Sequence, residues 1–526
     1  GFKALHMNRV LINSISVIGV RARRQRLATQ PSQYSFRRLL VAALLVALGG
    51  CASIPPDHGR GNVDQLLVER GMPVDDETSN LVSSLIVVPL TPDSAIRVAL
   101  LNNAELQSVY ASLGFGAADI YEAGRIRNPV LSASLLNSSR PDERDQATFG
   151  LVTSFTDLIT LAARKRLAEG SFAAMQQSVG AEVLKIAALT ERAYYDYVSA
   201  QQVVALRAQI AKAGGLSALL ASRYRDAGNL TLRELALERA AASQAQLAAL
   251  EAQDAAYAAR TTLARILGLS VAQDWTVPAQ LPLPVAREDE LEDLLSLARN
   301  ARLDLASARA QAGVRAEQLG VVNWTRWLGE LDIGFELERE SGGGRLTGPS
   351  LAWEVPVFNQ HQDAMLRADT QLQLAVNEVR RISMDVDNDV HLAYQKVVNA
   401  RARVAQYKEV MIPQRIETLA SAQQEFNYML LSVFELLALK QDEFDAYQGY
   451  LEALRDYWLA RADLGLATGT ELPSTARIDV QGIDVEQFTP PPSGAMDHSG
   501  HTMMDRRSTG EPAAEMSHEM HNGDSQ

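Results

Sequence analysis

The chain has 526 residues, 47% hydrophobic and 21% charged, with one cysteine and a formal net charge of −13. Residues 1–50 hold eight Lys or Arg and no acidic residue, so the remainder carries −21, a balance that repels nucleic acid and draws cations into any enclosed lumen. One thiol excludes a disulfide framework, and length alone would allow three or four ordinary domains.

Arg37-Arg38 precede an apolar run, 39–48, which ends at Gly49-Gly50-Cys51. A basic region, a ten-residue apolar run and a small-residue site are the parts of a secretory signal, so 1–50 reads as a leader. The run is shorter than the roughly 20 residues a permanent span needs, and no transmembrane helix is expected elsewhere. Leu48-Gly49-Gly50-Cys51 resembles the bacterial lipoprotein box, which marks Cys51 as the lipidation site and 51–90 as a lipid-anchored N-terminal segment. A chance cysteine beside an ordinary cleavage site is the plainer alternative.

The next part, 91–268, reads as the first of two repeats. Thr91-Pro92-Asp93 starts a helix, with a hydroxyl cap, a proline in the first turn and an acid at the positive dipole end. That helix is expected to run to about Arg127, before Asn128-Pro129. Strands are expected over 130–138 and 148–156. From 160 to about 226 the apolar positions Phe172, Met175, Val179, Val183, Ile186, Leu189, Ala193 and Tyr197 recur at helical spacing. A helix of that length spans roughly 100 Å, more than a globular domain requires. Thr231-x-x-Glu234 is a capping box that opens a return helix.

A proline-rich linker, 269–286, leads into a second repeat, 287–467, with the same parts in the same order. Arg302-Leu303-Asp304-Leu305 lies 199 residues after Asn103-Ala104-Glu105-Leu106, and the capping box Ser432-x-x-Glu435 lies 201 after the first. A second long helix is expected over 360–426. Gly214-Gly215 and Pro413 fall at matching places, so both long helices are expected to loosen near their tips. An offset this constant marks an internal duplication.

The strands of the second repeat, expected at 331–339 and 349–357, carry the clearest pattern. Leu331, Ile333, Phe335 and Leu337 alternate with Asp332, Gly334, Glu336 and Glu338, and Glu354 falls on the same polar face of the return strand. Apolar and acidic faces over about nine residues suit a tilted membrane strand with lipid outside and water inside. An amphipathic hairpin on a soluble sheet is the alternative. Four strands cannot close a barrel, and lipid does not tolerate open edges, so strands in a membrane require several copies of the chain.

The duplicated layout over residues 90–470, with Ala118-x-x-Tyr121-x-Ala123-x-x-x-x-Asn128-Pro129 and the two capped tips, resembles the TolC-like outer-membrane efflux proteins. The resemblance implies a mainly α fold with a small β part. Long antiparallel helices would form an α-barrel in the periplasm, and four transmembrane strands per chain would contribute to a shared 12-stranded β-barrel in a homotrimer. It also implies an outer-membrane, lipid-anchored exit duct that works with a periplasmic adaptor (membrane fusion) protein and an inner-membrane pump. By the same resemblance the tips, with Arg233, Glu234 and Glu435, would form the resting aperture, and Asp332, Glu336, Glu338 and Glu354 would face the lumen.

The segment 468–526 reads as a disordered tail with two mixed clusters. The first holds His498, His501, Met503 and Met504, and the second Met516, His518, Met520 and His521. Thioether and imidazole together suit Cu(I) or Ag(I). No nucleophile–base pair, phosphate loop or zinc spacing is present, so no enzyme and no other cofactor is expected. The reading is an efflux exit duct, with copper or silver as the preferred substrate. A drug-efflux or type I secretion duct with an incidental tail is the alternative, and a periplasmic metal-binding adaptor the alternative of another class.

Overall fold

The computed structural model describes residues 56–74, 79–137, 139–140 and 144–477. The leader, Cys51 and the His/Met tail lie outside them.

The first half runs α1 (Arg60–Val68), α2 (Ser79–Leu85), α3 (Pro92–Asn102), α4 (Ala104–Ala123), β1 (Val130–Leu136), β2 (Gln146–Ser154), α5 (Phe155–Asp226) and α6 (Leu232–Leu267). The second runs α7 (Leu291–Ala301), α8 (Leu303–Thr325), β3 (Leu331–Arg339), β4 (Arg345–Trp353) and α9 (Gln362–Ala405). A π-helical segment, Gln406–Met411, then leads into α10 (Ile412–Asn427) and α11 (Val433–Thr468). At 1.5 Å per residue the 72-residue α5 is about 108 Å long. It begins at the residue after β2 ends, so strand passes into helix without a loop.

The expected single helix from Thr91 is two helices. Asn103 breaks it and caps the second, its side chain accepting from the Leu106 N–H at 2.9 Å. Its amide also donates to the Ile266 carbonyl at 2.8 Å, while Asn102 reaches the Leu267 and Gly268 carbonyls at 3.1 and 2.7 Å. The start of the half is thereby tied to the unpaired carbonyls at the end of its return helix. The same junction recurs in the second half, where the break at Arg302 donates to the Ala467 carbonyl at 3.2 Å. α6 and α11 both have 36 residues and both end on a left-handed glycine, Gly268 and Gly469. A Cβ at Gly268 would stand 2.3 Å from the Asn102 carbonyl oxygen, which leaves no room for another residue.

The main core lies where α3, α5, α6, α7, α9 and α11 meet, around Trp275, Trp458, Tyr195, Tyr450 and Tyr457. Of the sequence stripe on α5, Val179, Val183, Ile186, Ala193 and Tyr197 are buried, whereas Leu189 is 43% exposed. The linker is extended and also belongs to this core: Trp275, Leu281 and Val285 are buried. The Pro282 carbonyl accepts from the Trp458 indole at 2.8 Å, and Arg401 donates to the Val285 and Ala286 carbonyls at 2.7 Å.

The two long helices differ near their tips. Pro413 has no N–H to continue the α-helical ladder, and the chain answers with the π segment just before it. Gly214-Gly215 does not interrupt α5; a Cβ at Gly214 would meet Ala242 at an ordinary contact distance of 3.4 Å, and one at Gly215 would meet nothing.

Candidate duct strands and hairpin tips

The four strands form one antiparallel sheet in the order β1-β2-β3-β4, with β1 and β4 at open edges. The expected return strands are displaced. β2 covers Gln146–Ser154 and β4 covers Arg345–Trp353, so Glu354, Val355 and Val357 lie past the end of β4. Glu354 therefore leaves the set of strand acids; its N–H donates to the Glu330 carbonyl at 2.8 Å just below the sheet. The tight turn after Arg339 sets this register. The Glu340 N–H donates to the Gly344 carbonyl at 3.0 Å, and Gly343 takes φ +91°.

Register brings like faces together. Ala133 opposes Phe149, Leu151 opposes Phe335 and Ile333 opposes Leu351. On the other face Ser134 opposes Thr148, which opposes Glu338, and Gly150 opposes Glu336. Asp332 pairs with Ser154, so all three strand acids share the polar face, where Gln146 donates to Glu338. The apolar face is uncovered: Leu131 is 73% exposed, Phe335 49% and Leu351 68%. A patch running across four strands is far larger than a soluble surface carries. Nine residues at about 3.3 Å each, tilted as in membrane barrels, give a band of roughly 25 Å.

An aromatic and basic girdle, which the sequence reading missed, lies where the strands meet the helices. Trp324, Trp327 and Trp353 are 45–55% exposed, and the Trp353 indole donates to the Leu328 carbonyl at 2.9 Å. The Arg125 guanidinium lies 3.6 Å over the Tyr121 ring, Arg326 lies 4.7 Å over Trp327, and Arg127 pairs with Asp157 at 3.2 Å. Exposed Trp and Tyr beside Arg are what a membrane–water boundary selects. Three of the five tryptophans within 30 residues were the available signal.

At the opposite end, both capping boxes are formed. Thr231 accepts from the Glu234 N–H at 3.2 Å, and its own N–H donates to the Glu234 carboxylate at 2.8 Å. Ser432 and Glu435 repeat this at 3.2 and 2.9 Å. These hydrogen bonds hold both carboxyls below the usual Glu range. Arg233 makes no ion pair with either acid among the described residues, though its charge helps to lower the Glu234 carboxyl. The two tips touch through Tyr224 and Phe434, whose rings meet edge to face at 6.1 Å. Gly228 and Met429 occupy matching turn positions, both with positive φ, and Met429 is 93% exposed. Among the described residues no three His, Cys, Asp or Glu side chains are placed to hold a metal ion.

No family model matches the chain. The Bordetella pertussis protein CyaE is 25% identical over 333 residues, 59% of this chain and 69% of its own length. The solved structure of CusC, described in connection with transmembrane channel formation, superposes with a TM-score of 0.60 at 14% identity, over 75% of this chain and 93% of CusC. The open state of the Neisseria gonorrhoeae outer-membrane channel MtrE does so with a TM-score of 0.59 at 16% identity, over 72% and 89%.

The two strand faces should respond differently to charge. Ile333→Arg puts a cation on the apolar face near mid-strand and should cost about 2–4 kcal/mol in a bilayer, whereas Glu336→Gln on the polar face should cost far less. Denaturant-induced unfolding from lipid vesicles measures both, and equal tolerance would mean the apolar face does not meet lipid. The architecture described above, a small antiparallel sheet leading into long paired helices, is the fold of the TolC-like outer-membrane efflux channels.

Proposed function

We propose that three copies of this chain form the exit duct of a tripartite efflux pump in the outer membrane, joined through an adaptor to an inner-membrane pump. The observation that carries the reading is the four-stranded sheet with one uncovered apolar face and two open edges, continuous with a helix of 72 residues. Unpaired edges cannot remain in hydrocarbon, and three such sheets supply a 12-stranded barrel. A stretch of α5 is apolar enough by composition for a membrane span, yet most of it is left uncovered within the single chain. In a trimer that surface packs on neighbouring helices. An adaptor, the alternative of another class, has no use for an apolar strand face.

Asp332, Glu336 and Glu338 then line the strand lumen, and the tips close the far end. Three copies of Glu435 about an axis would repel one another and attract cations. Glu435→Gln separates this role from capping, because Gln also serves in a capping box. Thermal stability should stay unchanged, while conductance in planar bilayers and its block by divalent cations should shift. Wild-type conductance and block would reduce Glu435 to a helix cap.

Two finer features rest on sequence alone. Cys51 follows the leader as a lipidated residue does, and the mixed His/Met clusters, His498 to Met504 and Met516 to His521, favour Cu(I) or Ag(I) as the substrate or buffered ion. The drug-efflux or secretion alternative leaves the tail without a role. Cys51→Ser should abolish palmitate labelling, while the barrel should still form in part, since closure depends on the strands. A chain ending after Pro492 should assemble normally but lose Cu(I) in chelator competition. Undiminished labelling removes the anchor, and undiminished Cu(I) retention removes the metal assignment.

A further inference from the structure

Beside the main core lies a cavity of about 710 Å³, bounded by α3, α5, α11 and the linker, and unrelated to the strands or the tips. One wall is aromatic: Tyr195 stacks on Trp458 with ring centroids 5.0 Å apart, and Tyr194 meets Tyr195 edge to face at 5.4 Å. All three rings are at most 4% exposed. The charge on the cavity is one-sided. Asp93 and Glu471 stand at its exposed mouth and Glu191 further in, whereas the lone cation, Arg461, is already committed to Glu288, Ser474 and Thr475.

Glu191 is the telling residue. It makes no hydrogen bond or ion pair among the described residues, and the surface it retains opens into the cavity. The surrounding protein pushes its carboxyl up to about 7; Arg461 opposes this, and Asp93 and Glu471 add to it. Glu191 is half-buried, and with no partner in the protein its charge is left turned toward the cavity. Among the described residues these acids do not form a group of three placed to hold a metal ion. The complement of such a site is a single positive charge on a body large and apolar enough to fill the cavity.

We propose that this cavity binds an apolar organic cation, a protonated or quaternary amine or its analogue, with its charge toward Glu191 and its apolar body against Met72, Pro73, Pro278 and Leu466, which line the cavity and keep open surface in front of the aromatic cluster. The site stands apart from the duct, and binding is read without conductance, so its failure and that of the channel reading are separate results.

The probe is tetraphenylphosphonium, measured by equilibrium dialysis against the full chain in non-ionic detergent, with tetraphenylborate as the same shape carrying the opposite charge. Saturable binding of one phosphonium per chain is expected, with no saturable borate binding. Glu191→Gln should weaken phosphonium binding about tenfold, in keeping with a desolvated cation contact, and should melt no lower than wild type. Glu471→Gln, on the exposed mouth where the fold is not at stake, should weaken it about threefold. Undiminished phosphonium binding in both variants, equal saturable binding of borate, or no saturable phosphonium binding at all would overturn the proposal.

Discussion

An antiparallel sheet with two open edges and an oily face is unstable in every solvent as a single copy. Water penalises the exposed row of Leu131, Phe149, Phe335 and Leu351, and hydrocarbon penalises the unpaired N–H and C=O groups along β1 and β4. Only edge-to-edge closure with further copies satisfies both penalties. The rest of the chain follows from that demand. The helices continue directly from the strands, so whatever number of copies closes the barrel also sets the number of helices around the duct. In the proposed assembly the girdle of Trp324, Trp327, Trp353, Arg125 and Arg326 would set the depth at which one region passes into the other.

The duplication explains how one chain meets the geometry. Each half is a closed circuit: a short helix, a strand pair, a long helix, a capped tip and a return helix tied back to its own start. In the first half Asn102 and Asn103 make that tie, and in the second Arg302 makes it with a longer side chain. The linker does not merely join the halves, since Trp275, Leu281 and Val285 fill the core between them. The halves also differ at the tips. Gly228 accepts its left-handed conformation without strain, whereas Met429 holds the matching position at a cost on the order of 1 kcal/mol, and the π segment precedes only the second tip.

Much of this was legible because it is local. The helical spacing on α5, the capping boxes at Thr231 and Ser432, and the alternation from Leu331 to Glu338 each depend on neighbours in sequence. What was not legible depends on distant partners. Asn103 looks like one polar residue in a continuing helix until Ile266, 163 residues on, supplies the carbonyl that rewards a break. The alternation around Leu351 and Val355 fits either register of β4, and only the turn at Gly343 chooses between them. Gly214-Gly215 reads as a weak point, yet the helix runs through it unbroken. The cavity at Glu191 could not be read at all, since Asp93, Glu191 and Glu471 meet only in the folded chain.

Closure between copies is the central claim, and pairing of β1 with a neighbour's β4 tests it most directly. Within one chain these strands are three strand spacings apart, about 14 Å, too far for a disulfide. One cysteine placed along β1, combined in turn with one at successive positions along β4, should upon oxidation in outer membranes give covalent dimers and trimers at one register and nothing larger. Monomers at every register, or a ladder that runs past three, would contradict a closed barrel of three chains.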